Sequence, residues 1–266
     1  MLIPLDSLDH PLLDPYRNLK RTNQTRGMDW FIAEGRLVVE RLLASAFPLR
    51  SVVLGEQAWS AFAHRIPEQT PTLLLSEDLV NALVGFKFHA GVIACGVRQT
   101  RRTLAEMADV LAPPQSTWLV CPATMMPDNL GSIVRIACAL GIEALIVGER
   151  SADPFSRRSI RVSMGNIFRL PILETTAALE TAAELQQRFG FYVIAATGEA
   201  ADQSLPLPRP APRLAIVLGN EAHGLDRAWL ALADARVAIP MSRATDSLNV
   251  AQAAAVFAYQ FTRVSP

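Results

Sequence analysis

Short apolar runs alternate with segments of helical periodicity along the second half of the chain. Buried strands are predicted at Thr117–Cys121, Ala144–Val147, Phe191–Ala196, Leu214–Leu218 and Arg236–Ile239. Helices are predicted between these strands at Leu130–Leu140, Arg157–Met164 and Ala177–Arg188, and Gly141 is expected to end the first of them. Strands that alternate with helices form a mostly parallel sheet covered on both faces. This half of the chain is therefore predicted to be an α/β domain.

The first part of the chain contains a shorter series of the same kind. Strands are predicted at Phe31–Ala33, Arg50–Leu54, Thr72–Leu75 and Gly91–Val97, and helices at Tyr16–Thr22, Gly35–Ser45, Ala58–Ala63 and Glu77–Leu83. A charged run from Arg98, one short helix around Ala105–Val110 and the pair Pro113-Pro114 then interrupt the pattern, which is typical of a domain boundary. We therefore predict a small α/β domain at residues 1–98, a linker at 99–116 and a larger α/β domain at 117–266.

Composition says little about the whole molecule and more about local charge. Half of the 266 residues are apolar, which is ample for a core, and the formal net charge is zero. Arginine forks match the geometry of phosphate groups, so basic clusters without acids are candidate phosphate contacts, although a solvated surface explains each cluster equally well. The clusters are Arg17, Lys20, Arg21 and Arg26, and Arg157, Arg158, Arg161 and Arg169.

Several classes of protein are disfavoured by what the sequence lacks. No apolar run reaches the roughly eighteen residues of a membrane span, and residues 1–10 do not resemble a secretory signal. Cys95, Cys121 and Cys138 are widely spaced, which favours buried thiols in a reducing cytoplasm over disulfides or a zinc site. The four histidines are scattered, so no metal site is predicted.

The run Leu214–Arg263 concentrates small and polar residues at the ends of predicted elements. One strand ends on Gly219-Asn220-Glu221, the next on Pro240-Met241, and Ser247-Leu248-Asn249 opens a helix rich in alanine. In open α/β sheets, ligands bind outside the carboxyl ends of the strands. We therefore predict a crevice built mostly from main chain, in which Glu221 accepts amide hydrogens and holds its loop in place.

Three polar residues at predicted helices allow a structural as well as a functional interpretation. Asn129 is predicted to be the N-cap of the helix Leu130–Leu140, and Ser247 is predicted to cap the alanine-rich helix in the same way. Arg135 lies among apolar positions, where an arginine either extends its charge to solvent or is retained for a function. The residues themselves leave both interpretations of Arg135 open.

Three segments taken together resemble the three motifs of the SpoU-type RNA 2′-O-ribose methyltransferases, TrmH-like members of the SPOUT superfamily. Asn129–Arg135 resembles the first motif, Leu218–Leu225 the second, and Ile239–Met241 with Ser247–Ala251 the third. Their order, spacing and flanking strands match the family over residues 117–263. Three linked motifs are far more specific than any one of them. The chain is therefore identified as a member of this family.

The first domain is similar, more loosely, to the substrate-binding domain of the ribosomal RNA branch, which has a ribosomal-protein-like α/β fold. Arg17–Lys20 and Phe31–Gly35 carry this similarity, and Asp153–Pro171 resembles a stretch common in these enzymes. Ala251 stands where many members have serine. Because the transfer RNA branch usually lacks such a domain, the resemblance favours 23S-type ribosomal RNA as substrate.

The resemblance also implies an α/β trefoil knot in the carboxy-terminal domain, with the chain after Ile239 threaded through the Gly219 loop. It implies S-adenosylmethionine as cofactor and a cytoplasmic homodimer, for which the alanine-rich final helix suits a close contact. The residues expected to bind the cofactor are Thr197, Leu218, Gly219, Asn220, Ile239, Met241, Ser247 and Leu248.

The implied reaction is attack of a ribose 2′-hydroxyl on the methyl group of the cofactor, which requires no metal. Family accounts assign the hydroxyl proton to the arginine that matches Arg135. Because a guanidinium remains protonated in proteins, we expect Arg135 instead to stabilise the developing alkoxide and a neighbouring phosphate. The expected catalytic set is Arg135, Asn129, Glu221, Ser247 and Asn249. The expected RNA contacts are Arg17, Lys20, Arg21, Arg26, Arg157, Arg158 and Arg161.

Two alternatives belong to other classes. The chain could be an RNA-binding or ribosome-assembly protein without turnover, although retention of all the residues of the catalytic set disfavours this. It could also be a methyltransferase that acts on a base nitrogen or on transfer RNA. An unrelated small-molecule enzyme is less compatible with the split motifs.

Overall fold

The computed structural model of the chain describes residues 1–19, 25–101, 103–198, 201–242 and 247–262. Its strands are β1 (Leu2–Pro4), β2 (Trp30–Glu34), β3 (Leu49–Gly55), β4 (Thr72–Leu75), β5 (Val92–Val97), β6 (Ser116–Cys121), β7 (Ala144–Gly148), β8 (Ile172–Thr175), β9 (Tyr192–Ala196), β10 (Gln203–Ser204), β11 (Arg213–Leu218) and β12 (Ala235–Ala238). Its α-helices are α1 (Arg36–Leu43), α2 (Trp59–Phe62), α3 (Glu77–Val84), α4 (Ala108–Leu111), α5 (Pro127–Ala139), α6 (Arg157–Val162), α7 (Ala178–Phe189), α8 (Arg227–Leu232) and α9 (Val250–Phe261). Each strand predicted from the sequence has a counterpart; β1, β8 and β10 were not predicted.

The carboxy-terminal unit comprises Thr100–Pro154 and Leu170–Pro266 and contains a seven-stranded sheet. The strand order is β10-β12-β9-β11-β6-β7-β8, and every neighbouring pair is parallel. The prediction of a mostly parallel sheet is confirmed for this unit. Because the strands are parallel, the carboxyl ends of β6, β9, β11 and β12 lie along one edge of the sheet.

The central strands of this sheet are buried along almost their whole length. Residues 116–121 of β6 and 214–218 of β11 are buried, as expected for parallel strands covered on both faces. The predicted linker contributes to the same core, because Leu104, Met107 and Leu111 are buried in it. The linker at 99–116 is therefore corrected: a capping box at Thr103 starts a 3-10 turn, Leu104–Met107, that continues into α4. Its prolines end this short helical segment and do not mark a flexible connection.

The amino-terminal unit comprises Met1–Gln99 together with Phe155–Arg169. Its five-stranded sheet has the order β1-β4-β3-β5-β2, in which β5 is antiparallel to β2 and β3 and the other pairs are parallel. The buried Tyr16 hydroxyl hydrogen-bonds to Ser51 at 2.8 Å, and the same burial raises the pKa of Tyr16 well above its usual value. Small mixed sheets of this kind bury one core of their own.

The segment Phe155–Arg169 lies in this amino-terminal unit, whereas the sequence division placed it in the carboxy-terminal domain. Two of its rings pack against Phe31 and Phe47. The centroid of the Phe155 ring lies 5.4 Å from that of Phe31 and 5.7 Å from that of Phe47. The corresponding centroid distances for Phe168 are 5.3 Å and 5.6 Å. Such a cluster stabilises by area burial and by ring contacts. Aromatic packing therefore places this segment in the amino-terminal unit, although it follows β6 and β7 of the other unit in the sequence.

Three further local expectations are corrected. The predicted helix Tyr16–Thr22 is absent over its described part, because a 3-10 helix at Pro11–Tyr16 ends there; Lys20, Arg21 and Thr22 lie outside the described residues. α5 begins at Pro127, a favourable first helical residue, so Asn129 lies inside the helix and Met126 is its N-cap. Asn249, not Ser247, caps α9. Within the described part of the chain, no helix is long and apolar enough to cross a membrane.

Candidate active site at the carboxyl edge of the parallel sheet

The loop after β11 is a tight turn that requires glycine. The backbone N–H groups of Asn220 and Gly224 each donate to the other residue's carbonyl, at 2.8 and 3.0 Å. A Cβ atom at Gly219 would lie only 2.8 Å from the Gly224 carbonyl carbon, closer than real Cβ contacts come. The loop's own main chain therefore approaches Gly219 so closely that only glycine fits there.

Asn220 braces this loop from both sides. Its Oδ1 accepts hydrogen bonds from the N–H groups of Ala222 at 2.9 Å and His223 at 3.1 Å, and its Nδ2 donates to the Ala123 carbonyl at 2.8 Å. The hydrogen bond to Ala123 joins the loop to the residues that follow β6. Asn220, which the sequence placed among the cofactor-binding residues, thus holds the loop against the neighbouring strand end.

A chain of side-chain hydrogen bonds joins three segments that are far apart in sequence. Asn249 Nδ2 donates to Asn129 Oδ1 at 3.0 Å, and Asn129 Nδ2 donates to Glu221 Oε1 at 2.9 Å. Asn249 Oδ1 in turn accepts from the Ala251 N–H at 2.9 Å, which is the N-cap interaction of α9. The three predicted motif residues are therefore brought together, and each amide has a defined orientation.

Both carboxylate oxygens of Glu221 are used by donors. Oε2 accepts from the Met125 N–H and from Asn220 Nδ2, each at 3.4 Å, while Oε1 accepts from Asn129. The expectation that Glu221 accepts amide hydrogens agrees with this geometry. A carboxylate occupied in this way orients its donors and is poorly placed to remove a proton from a substrate.

Arg135 and Ser247 do not take part in this hydrogen-bond network among the described residues. Arg135 is exposed and forms no hydrogen bond or ion pair with the described residues. It lies six residues after Asn129 on α5, so its side chain leaves the helix about 120° around the axis and about 9 Å further along. Ser247 is also exposed and has no hydrogen-bond partner in the described part of the chain.

The residues expected to bind the cofactor lie at neighbouring strand ends. Thr197 follows β9, Leu218 ends β11, Ile239 and Met241 follow β12, and Leu248 precedes α9. Met241 and Leu248 remain 39% and 37% exposed, which is unusual for large apolar side chains beside a buried sheet. Exposed apolar side chains at strand ends are the kind of surface that a flat, largely apolar ligand ring covers on binding.

Other chemistries are disfavoured at this edge. Burial raises the pKa of the Cys121 thiol to about 12, so the thiolate nucleophile is not available near neutral pH. Among the described residues, no group of three or more His, Cys, Asp or Glu side chains could hold a metal ion.

The arginines expected to contact RNA divide into two groups. Arg157 forms an ion pair with Glu34 at 3.1 Å, with the two side chains only 19% and 13% exposed, and it lies over the Phe86 ring at 5.5 Å. Burial lowers the pKa of Arg157, and the charge of Glu34 opposes that shift. Arg157 therefore makes an internal contact in this unit, and its contact with RNA stays a prediction. Arg17 pairs with Asp14 at 3.0 Å.

The remaining members of these clusters are on the surface where the structure describes them. Arg158 and Arg161 on α6 are exposed, as are Arg26 and Arg169. Lys20 and Arg21 lie outside the described residues. Charge spacing in the sequence could not separate Arg157 from Arg161, because the acid that pairs with Arg157 lies on β2, far away in the chain.

Residues 116–259 match the model of the SpoU rRNA Methylase family. An uncharacterized tRNA/rRNA methyltransferase of Mycobacterium tuberculosis is 36% identical over 263 residues, covering 96% of this chain and 90% of the relative. The 23S rRNA (guanosine(2553)-2′-O)-methyltransferase RlmP of Bacillus subtilis is 25% identical over 260 residues, covering 96% and 97%. The crystal structure of the SpoU methyltransferase AviRb from Streptomyces viridochromogenes, in complex with the cofactor AdoMet, has a TM-score of 0.80 at 23% identity and covers 94% and 97%.

The fold and the three joined motifs define a methyltransferase of the parallel α/β class. The chain belongs to the SpoU rRNA methylase family. The predictions of family, fold class and methyltransferase activity are thereby confirmed. The cofactor in the AviRb structure agrees with the predicted methyl donor.

Proposed function

We propose that this chain transfers a methyl group from S-adenosylmethionine to a ribose 2′-hydroxyl of structured RNA, most specifically 23S-type ribosomal RNA. The observation that carries the proposal is the hydrogen-bond chain Asn249–Asn129–Glu221, which unites the three motifs in one site. The activity in the name of RlmP supports the same reaction. When bound, the cofactor supplies an electrophilic methyl group and a neutral leaving group, so no metal is needed.

The side chains of this network position the reacting ribose. Each asparagine amide has two N–H donors, and the network uses one from Asn129 and one from Asn249. Because the amide group is planar, the bonded N–H of each asparagine fixes the direction of its second N–H. We assign these two remaining N–H groups to ribose oxygens, with the Ser247 hydroxyl as an additional partner. Correct placement of a hydroxyl against its electrophile is worth much of the barrier in a transfer that needs no covalent intermediate.

Arg135 supplies positive charge to the same reaction. A guanidinium stays protonated in proteins, so it acts as an electrostatic stabiliser of the developing alkoxide and not as a base. The hydroxyl proton is released to water as the O–CH3 bond forms and the S–CH3 bond of the cofactor breaks. Its direction from α5, about 120° away from Asn129, points away from the network of its own subunit. The partner subunit's Arg135 is therefore the one that we place in the site.

A homodimer through α5 and α9 would make this possible. These two helices pack on each other, and α9 leaves Val256 37% and Tyr259 78% exposed on one face. An apolar stripe beside small residues such as Ala255 suits close contact with a second copy. We also propose the predicted passage of the chain after Ile239 through the Gly219 loop; residues 243–246 of that passage lie outside the described part.

The amino-terminal unit holds the RNA. Exposed Arg26, Arg158 and Arg161 are the proposed phosphate contacts, and Lys20 and Arg21 remain predictions outside the described residues. The proposed cofactor contacts are the strand-end residues that follow β9, β11 and β12, with Leu248. A cytoplasmic location goes with a ribosomal substrate and stays a prediction.

The proposal is tested by incubating the purified chain with labelled S-adenosylmethionine and separate pools of ribosomal and transfer RNA. Nucleoside digestion and mass analysis of each pool then distinguish 2′-O-methylated from base-methylated products. We expect a 2′-O-methyl nucleoside from the large ribosomal RNA. A product only in transfer RNA, the second substrate in the name of the mycobacterial relative, would redirect the assignment, and a methylated base would refute it.

A further inference from the structure

Two adjacent methionines, Met125 and Met126, are exposed beside the Asn129–Glu221 network. Their exposed fractions are 64% and 55%, the largest among the apolar side chains at this edge of the sheet. Neither belongs to the expected catalytic or cofactor-binding set. Large exposed apolar side chains that cluster beside a site usually meet a partner.

The backbone of each methionine makes a hydrogen bond at or next to the site. The Met125 N–H donates to Glu221 Oε2 at 3.4 Å, and the Met126 carbonyl accepts the first helical hydrogen bond of α5 from Leu130 at 3.0 Å. Asn129 follows Met126 by three residues on the first turn of α5. The two side chains therefore start from defined positions next to the groups that orient the ribose.

The residue type at Met126 is unfavourable for local structure. Met126 is the N-cap of α5 and makes no side-chain capping hydrogen bond. Ser, Thr, Asp or Asn at this position would satisfy a free N–H group of the helix, and the chain forgoes that stabilisation. A locally unfavourable apolar residue at the entrance of a site is best explained by a contact made in the complex.

The geometry points to Met125 and Met126 as an apolar platform for the nucleobase of the methylated nucleotide. This inference rests on the proposed function, because the base is attached to the ribose that Asn129 and Asn249 orient. In RNA that is recognised with its target nucleotide splayed out, the base loses its stacking neighbours and needs a new flat contact. Methionine provides it, since its thioether is polarisable and makes favourable contacts with aromatic rings.

Contact through methionine is tolerant of base identity. No Asn, Gln, Asp or Glu side chain lies between β6 and Asp128 to read a base edge, and both methionines present only apolar atoms and a weak acceptor. The platform should therefore hold the base by stacking without selecting its identity.

The test uses two double variants at the same exposed positions. Met125→Leu with Met126→Leu keeps the apolar volume, whereas Met125→Gln with Met126→Gln keeps the length and adds polarity. The nucleotide modified by the wild-type chain is first identified by mass analysis. Short RNAs are then made with that nucleotide intact or with its base removed, and their dissociation constants are measured for the three proteins.

We expect the Gln pair to weaken binding of the intact RNA about tenfold and the Leu pair to leave it within about twofold. With the abasic RNA, all three proteins should bind equally, and cofactor affinity should be the same throughout. A loss that persists with abasic RNA, or no loss with intact RNA, would overturn the inference. So would a change of oligomeric state in the Gln pair, which would assign the methionines to a second copy of the chain. If the wild-type chain methylates no RNA, the proposed function itself fails, and the inference with it.

Discussion

Two regions that attract attention in the sequence use polar groups in opposite ways. At the carboxyl edge of the parallel sheet, Asn129, Glu221 and Asn249 hydrogen-bond to one another and remain at the surface. In the segment Phe155–Arg169, Arg157 forms a largely buried ion pair with Glu34, and two phenylalanines of the segment pack against Phe31 and Phe47. The first arrangement keeps donors available to a substrate, whereas the second uses up its charge in holding the unit together. Similar residue types therefore predict function only where the surrounding structure leaves them accessible.

The largest effect is expected for Arg135→Ala, which tests whether an exposed arginine at the site serves the reaction. If the exposed Arg135 stabilises the alkoxide, its removal should lower kcat about 10²- to 10³-fold, because loss of one oxyanion donor typically has this effect. Cofactor affinity, measured by calorimetry, should stay within a few-fold. Loss of cofactor binding, or an unchanged kcat, would contradict the role. Mixing Arg135→Ala with Asn129→Ala chains provides the control: if the arginine comes from the partner, the mixed dimer should regain part of the activity.

A smaller effect is expected at the network itself. Glu221→Ala leaves the Asn129 amide and the Met125 N–H without their acceptor, which should lower kcat/KM about tenfold or more through lost orientation. Glu221→Gln retains one carbonyl oxygen and should lose less. Thermal unfolding should change little, because Glu221 is exposed. Equal losses in both variants would show that the negative charge, and not the hydrogen-bond geometry, is what matters.

The smallest effects distinguish the two kinds of arginine on α6. Arg161→Ala should weaken RNA binding by a few-fold and leave the free energy of unfolding unchanged. The slope of the logarithm of the binding constant against the logarithm of the salt concentration should become smaller by about one. Arg157→Ala should instead lower the free energy of unfolding by about 2–3 kcal/mol, since it leaves the largely buried Glu34 carboxylate without its partner. Salt titrations of RNA binding and denaturant unfolding measure the two outcomes. A reversed pattern would mean that Arg157 is the RNA contact.

Much of the fold was accessible from periodicity alone. The strands β6, β7, β9, β11 and β12 are short apolar runs, and their burial in a parallel sheet follows directly from that pattern. β8 escaped prediction because Ile172–Thr175 alternates into polar residues at the sheet edge. The N-cap assignments failed at Asn129 and Ser247, since Pro127 started α5 early and Asn249 offered a better cap for α9.

The amino-acid sequence by itself determined the parallel α/β architecture, the family and the three motifs, because local periodicity and residue spacing are properties of neighbouring positions. Only the tertiary structure decided that Phe155–Arg169 packs with the amino-terminal sheet, that Arg157 is paired, and that Asn129, Glu221 and Asn249 form one hydrogen-bond chain. These contacts join residues about a hundred positions apart. Their geometry depends on how strands are ordered in a sheet, which no short stretch of sequence encodes.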